Sequence, residues 1–174
     1  YLCMPYLQKL VRINSWENTF IYPFGIFDKD SIHLLEGQDD LDKCSSILPK
    51  FSAIKHFDSD QYTTKITPFF SFETIKNFIA NNRVDIIKID TEGTELEVVK
   101  SIKSLIQKNS PLLFIEILPS KKDNHELALR NEKLMTLIKD LSLVPFRINK
   151  KFKNQRFSFL EERTSIGDHT NMDF

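Results

Sequence analysis

Glycine occurs only four times in 174 residues, at Gly25, Gly37, Gly93 and Gly167, and no two are close enough to make a GxG turn. A phosphate-cradling loop needs such glycines so that backbone N–H groups can approach the anion, which excludes a phosphate-loop nucleotide binder. Cysteine is nearly absent as well. Cys3 and Cys44 stand far apart and in no motif, which argues against a disulfide framework and for a reducing, cytoplasmic setting. No apolar run approaches the roughly 18 residues of a membrane span, and no signal peptide is visible. An excess of charge is missing too: 24 basic residues balance 24 acidic ones. The chain as a whole therefore has no electrostatic pull toward nucleic acid or an anionic membrane. The first residue is Tyr1, not Met, so the chain is expected to be less than a whole translation product.

Apolar residues make up 41% of the chain, with 15 phenylalanines, enough to bury one core. The length suits a single domain, expected over residues 1–161, with a polar tail over 162–174. Residues 5–14 (PYLQKLVRIN) predict a helix with Pro5 in its first turn. Residues 19–24 (TFIYPF), 31–35 (SIHLL) and 63–67 (TTKIT) predict short strands, and Ser71 is placed to cap a helix carrying Ile75, Phe78 and Ile79 that ends at Asn81 and Asn82. Residues 84–89 (VDIIKI) are nearly all apolar, as a strand covered on both faces should be. Thr94 and Glu97 have capping-box spacing, and Leu96, Val99, Ile102 and Ile106 follow at helical intervals. A second buried strand is expected over 112–118 (LLFIEIL), then a helix marked by Leu127, Leu134, Ile138 and Leu141. Residues 144–148 and 157–160, split by a basic turn, predict an antiparallel hairpin. Strand, helix, strand, helix and hairpin together predict an α/β domain with a mainly parallel sheet.

The string that carries chemistry runs from Asp85 to Lys100. A buried strand leads straight into Asp90, Glu92 and Gly93, and then into a helix. In open α/β sheets the working crevice lies beyond the carboxyl ends of the strands. Carboxylates placed there can take a hydroxyl proton, orient a substrate or hold a cation. They can equally do no more than stabilise the positive end of the helix that follows. Gly93 permits the tight turn. Glu116, inside an apolar strand, needs a partner: it either faces the crevice or ends a core strand beside Lys88 or Arg147.

Other polar clusters are weaker candidates. His33, His56, His125 and His169 lack metal-ligand spacing, and His33 falls in a strand. Ser45 and Ser46 lack a nucleophile elbow, and Asp39, Asp40 and Asp42 lack a calcium loop's glycine and final Glu. No metal is expected. Lys150, Lys151, Lys153 and Arg156 are read as a solvated hairpin tip rather than a nucleic-acid patch.

Residues 86–101 (IIKIDTEGTELEVVKS) resemble the signature of FkbM-type methyltransferases, in which a strand ending KID, one residue and EG lead into a helix with E-x-E-V-L-K. The flanks are similar as well. Residues 66–75 (ITPFFSFETI) match the family's short strand and helix start, and 45–48 (SSIL) its Ser-Ser-Leu element. Residues 24–28 (FGIFD) match its Ala-Leu-Ser-Asp turn, and 111–116 (PLLFIE) its Pro-x-hydrophobic-Glu strand. The resemblance extends over roughly residues 4–148. It implies a Rossmann-like sheet closed by the hairpin, with S-adenosylmethionine as cofactor. It also implies O-methyl transfer to a hydroxyl of a small molecule or sugar. It assigns Asp90 as base or orienting group, Glu92 as the second acid, Asp28 to the cofactor side and Glu116 to the substrate side.

Two family features are missing. One is the glycine-rich turn after the first strand. The other is the acid that ends the second, where Met4 and Pro5 stand in place of Glu-Pro. Those two strands belong at the centre of the family's sheet. The chain alone is therefore expected not to form one continuous sheet, and direct pairing of residues 19–24 with 84–89 would contradict that. The rival reading is a non-catalytic α/β remnant that serves as a binding or assembly module.

Overall fold

A computed structural model describes residues 3–37, 47, 63–79, 83–118, 120, 124–150 and 157–162. The chain opens with helix α1 (Cys3–Ile13), then strands β1 (Gly25–Ile26), β2 (Ser31–Gly37) and β3 (Thr63–Phe70), and the short helix α2 (Phe72–Ile75). Strand β4 (Ile86–Ile89), helices α3 (Glu95–Ser101) and α4 (Lys103–Asn109), and strand β5 (Leu112–Ile115) form a β-α-α-β unit. Helix α5 (His125–Asp140) and strands β6 (Phe146–Lys150) and β7 (Phe157–Glu162) complete the order.

Among the described residues the strands group into three small sheets rather than one mainly parallel sheet. In the first, β3 lies between β1, parallel to it, and β2, antiparallel to it. In the second, β4 runs parallel to β5, with Ile86 opposite Leu112 and Ile89 opposite Ile115. The third is the antiparallel pair β6–β7, which among the described residues does not pair with the β4–β5 sheet. Among the described residues β1 does not pair with β4, in keeping with the expectation that the sheet is not continuous.

Residues 19–24 do not form the expected strand; only Gly25 and Ile26 join the ladder. Pro23 has no N–H to donate, and side chains hold this segment instead. Tyr22 donates its hydroxyl to the Phe78 carbonyl at 3.2 Å, and Phe24 meets Phe70 edge-on at 5.3 Å. Gly25 is required by close approach, since a Cβ there would lie 2.1 Å from the Phe69 ring. His33 packs in this aromatic group, 5.4 Å from Phe69 and 5.1 Å from Phe27, and bonds Ser31 Oγ at 2.9 Å, which gives it a packing role.

The core lies between β4–β5 and the helices that follow them. Ile89, Leu96, Val98, Val99, Ile102, Ile106, Leu134, Met135 and Ile138 are buried together. Each large aliphatic side chain so buried contributes about 1.5–3 kcal/mol. The apolar stripe expected along the helix after Gly93 is thus correct. The single helix is not: the chain breaks at Ile102 (φ −91°, ψ 13°), and α4 starts at the next residue. Residues 84–89 are covered on one face only. Ile87 and Ile89 turn toward the core, whereas Ile86 is 62% exposed. Ser71 caps α2 as expected, accepting from the Thr74 N–H at 3.4 Å. That helix is shorter than its apolar spacing suggests, and Phe78 beyond it is exposed. No helix among the described residues is long and apolar enough to cross a membrane.

Candidate active site

Asp90 is the first residue past β4, and Glu116 the first past β5. The parallel register brings these strand ends side by side, with the Glu116 N–H donating to the Ile89 carbonyl at 3.0 Å. Lys88 stands between the acids electrostatically. Its Nζ meets Asp90 Oδ2 at 2.5 Å. That hydrogen bond, then the charge of Asp90, raises the Lys88 pKa above its ordinary value; burial opposes the rise, and the charge of Glu116 adds a lesser contribution to it. Glu116 thus lies near enough to Lys88 for its charge to act on it.

Asp90, Thr91 and Thr94 line one part of a groove of about 1020 Å³. Its apolar walls come from Ile26 and Phe69 on one side and Ile87, Ile89 and Ile102 on another, with Lys76, Ser104, Lys108 and Asn109 at its polar margin. The volume is that of a site for a drug-sized molecule. Asp28, Glu92, Gly93 and Glu116 are not among its walls. Asp28 is exposed in the turn between β1 and β2, so it is not gathered with the other acids.

The turn from Asp90 into α3 has an unusual backbone. Glu92 (φ 50°) and Gly93 (φ 107°) are consecutive residues in the left-handed region, which glycine enters freely and glutamate at a cost. The expected capping box does not form. Thr94 donates its hydroxyl to the Thr91 carbonyl at 3.4 Å instead of capping, and Glu97 pairs with Arg130. A residue that sequence spacing did not single out takes over the turn. Glu95 accepts from the Gly93 N–H at 2.9 Å and from the Thr91 hydroxyl at 3.1 Å. Its sequence signal was its place in the acid-rich first turn of α3.

Asp30 was also missed. It accepts from the Ser71 N–H at 2.8 Å and from the Thr74 hydroxyl, which ties the turn before β2 to the start of α2. The Ser71 backbone bond, then the Thr74 bond, hold its carboxyl below its ordinary range. Among the described residues no group of three His, Cys, Asp or Glu side chains is gathered to hold a metal ion. Ser45, Ser46, Asp39, Asp40, Asp42, His56, His169, Lys151, Lys153 and Arg156 lie outside the described residues, as does the tail beyond Glu162.

Taken together, an α/β chain with Asp90 at a strand's carboxyl end in the wall of an apolar groove has the layout of a ligand-binding crevice of the open α/β kind. The family model described as the methyltransferase FkbM domain matches residues 7–141, and the chain belongs to that family. No curated protein and no solved structure matches it.

Proposed function

We propose that the chain serves S-adenosylmethionine-dependent O-methyl transfer to a hydroxyl of a small molecule or sugar, in a reducing cytoplasm. The observation that carries this reading is Asp90, set in the groove wall at the carboxyl end of β4 with Glu116 beside it at the end of β5. Lys88 engages one oxygen of Asp90, Oδ2. The other accepts the proton of the acceptor hydroxyl, and the hydroxyl oxygen becomes the nucleophile. Glu92 is the second acid, Glu116 orients the acceptor, and Asp28 serves the cofactor side. Alignment of the reacting groups supplies most of the acceleration.

The residues fit the cofactor in part. Ile26, Phe69, Ile87 and Ile89 offer an apolar wall suited to an adenine ring. No glycine-rich turn is present to bring backbone against it, because the four glycines lie far apart, and the space over Gly25 is taken by the Phe69 ring. The cofactor supplies the electrophilic methyl group when bound.

One observation favours a second reading, a non-catalytic α/β module for binding or assembly. The outer face of β4–β5 presents Ile86, Leu112 and Phe114, the last two 57% and 40% exposed. Calorimetric titration of S-adenosylhomocysteine into the chain separates the two readings. Micromolar binding is the result expected of the transferase. No heat from a chain that is folded by circular dichroism is the result expected of the module.

A further inference from the structure

We infer that Arg130, on α5, is a positioning residue that clamps the acid-bearing turn between β4 and α3. The inference rests on the reading of Asp90 and Glu92 as the working acids. Arg130 Nη2 donates to the Gly93 carbonyl at 2.9 Å and to Glu97 Oε2. Its side chain is 19% exposed and that of Glu97 12%, so the pair is largely shielded from water. Gly93 is therefore gripped from both sides, at its N–H by the buried Glu95 and at its carbonyl by Arg130.

Two consecutive left-handed residues, one of them glutamate, persist only where the surroundings over-determine them. Glu95 and Arg130 provide that constraint. The neighbouring side chain extends it: Asn131, also buried, donates Nδ2 to the Leu118 carbonyl at 3.1 Å, just past β5. Consecutive residues of α5 thus hold the segments that follow both acid-bearing strands, and the aim of Asp90 and Glu92 depends on a helix that carries neither. Arginine suits the task because its planar, charged fork can reach a carboxylate and a carbonyl together.

A purely structural Arg130 would do no more than neutralise Glu97. The full 174-residue chain distinguishes the two roles through amide hydrogen exchange at Gly93, with Val99 inside α3 as the internal reference. Arg130→Ala leaves a buried carboxylate unpaired and invites unfolding. The informative variants are therefore Arg130→Lys and the charge-free pair Arg130→Met with Glu97→Leu. In the folded pair variant, Gly93 exchange is expected to rise about ten- to a hundredfold, the factor lost with one charge-assisted hydrogen bond, while Val99 is unchanged. Methyl transfer from tritiated S-adenosylmethionine to a panel of sugars and small alcohols should fall in kcat with the cofactor KM unchanged. Arg130→Lys should restore part of both losses. Unchanged Gly93 exchange in the folded pair variant overturns the clamp, and faster exchange with unaltered kcat overturns the positioning role. A wild-type chain that transfers nothing, while the variant's Gly93 loosens, refutes the transferase reading and leaves the clamp standing.

Discussion

Gly93 at φ 107° is the position in the acid-bearing turn where a side chain is least tolerable. Gly93→Ala is expected to cost about 1–3 kcal/mol in urea denaturation, the strain of an L side chain held in that region. A second residue-scale consequence concerns acid. Asp30 has a folded pKa lowered from 3.8, mainly by the Ser71 backbone bond, and Glu73 one lowered from 4.5, mainly by its bond with Lys76. Each contribution is complete above the unfolded pKa and is lost as pH falls through the folded value. Thermal scans between about pH 6 and pH 2 should show stability declining at the acid end, and Asp30→Asn should flatten that decline. The turn through Asp90, Glu92 and Gly93 was legible in the sequence because it lies between an apolar strand and an amphipathic helix. Asp30 was not, because its partners Ser71 and Thr74 lie 41 and 44 residues away and no local rule joins them. Arg130 was hidden for the same reason, 37 residues from the Gly93 carbonyl it holds.

At the scale of elements, the apolar period from Leu96 to Ile106 persists across the break at Ile102, so it predicted the buried face and could not register the interruption. Ile106 is among the largest fully buried side chains. Ile106→Ala should therefore destabilise the chain by about 2–5 kcal/mol, read as a lower denaturation midpoint with an unchanged slope. The capping box failed on competition. Thr94 and Glu97 have the right spacing, but Glu97 finds a stronger, charged partner in Arg130 on another helix. Residues 19–24 failed on a related count, because aromatic content suggested a ladder where ring contacts and the Tyr22 hydroxyl hold the chain. Helix α5 was legible from Leu127, Leu134 and Ile138, all buried, yet the same stripe hides Asn131, whose polar side chain serves the end of β5.

At the scale of the molecule, two parallel pairings and two antiparallel ones divide the strands of the described residues among three sheets. Parallel pairs are normally covered on both faces, and β4–β5 is covered on one. The α/β class was legible because the order of elements is a local property; the division into sheets was not, because pairing joins distant segments. The chain belongs to the FkbM methyltransferase family, and the proposed function sets the transfer reaction in the crevice at the ends of β4 and β5. The most direct test of that account is methyl transfer from tritiated S-adenosylmethionine to the acceptor panel, with wild type beside Asp90→Asn. The pair with Lys88 is solvent-exposed, so the substitution leaves the fold intact and reads the chemistry. The account predicts transfer by the wild type and a loss of about a hundredfold or more in the variant. Equal rates in the two would contradict it.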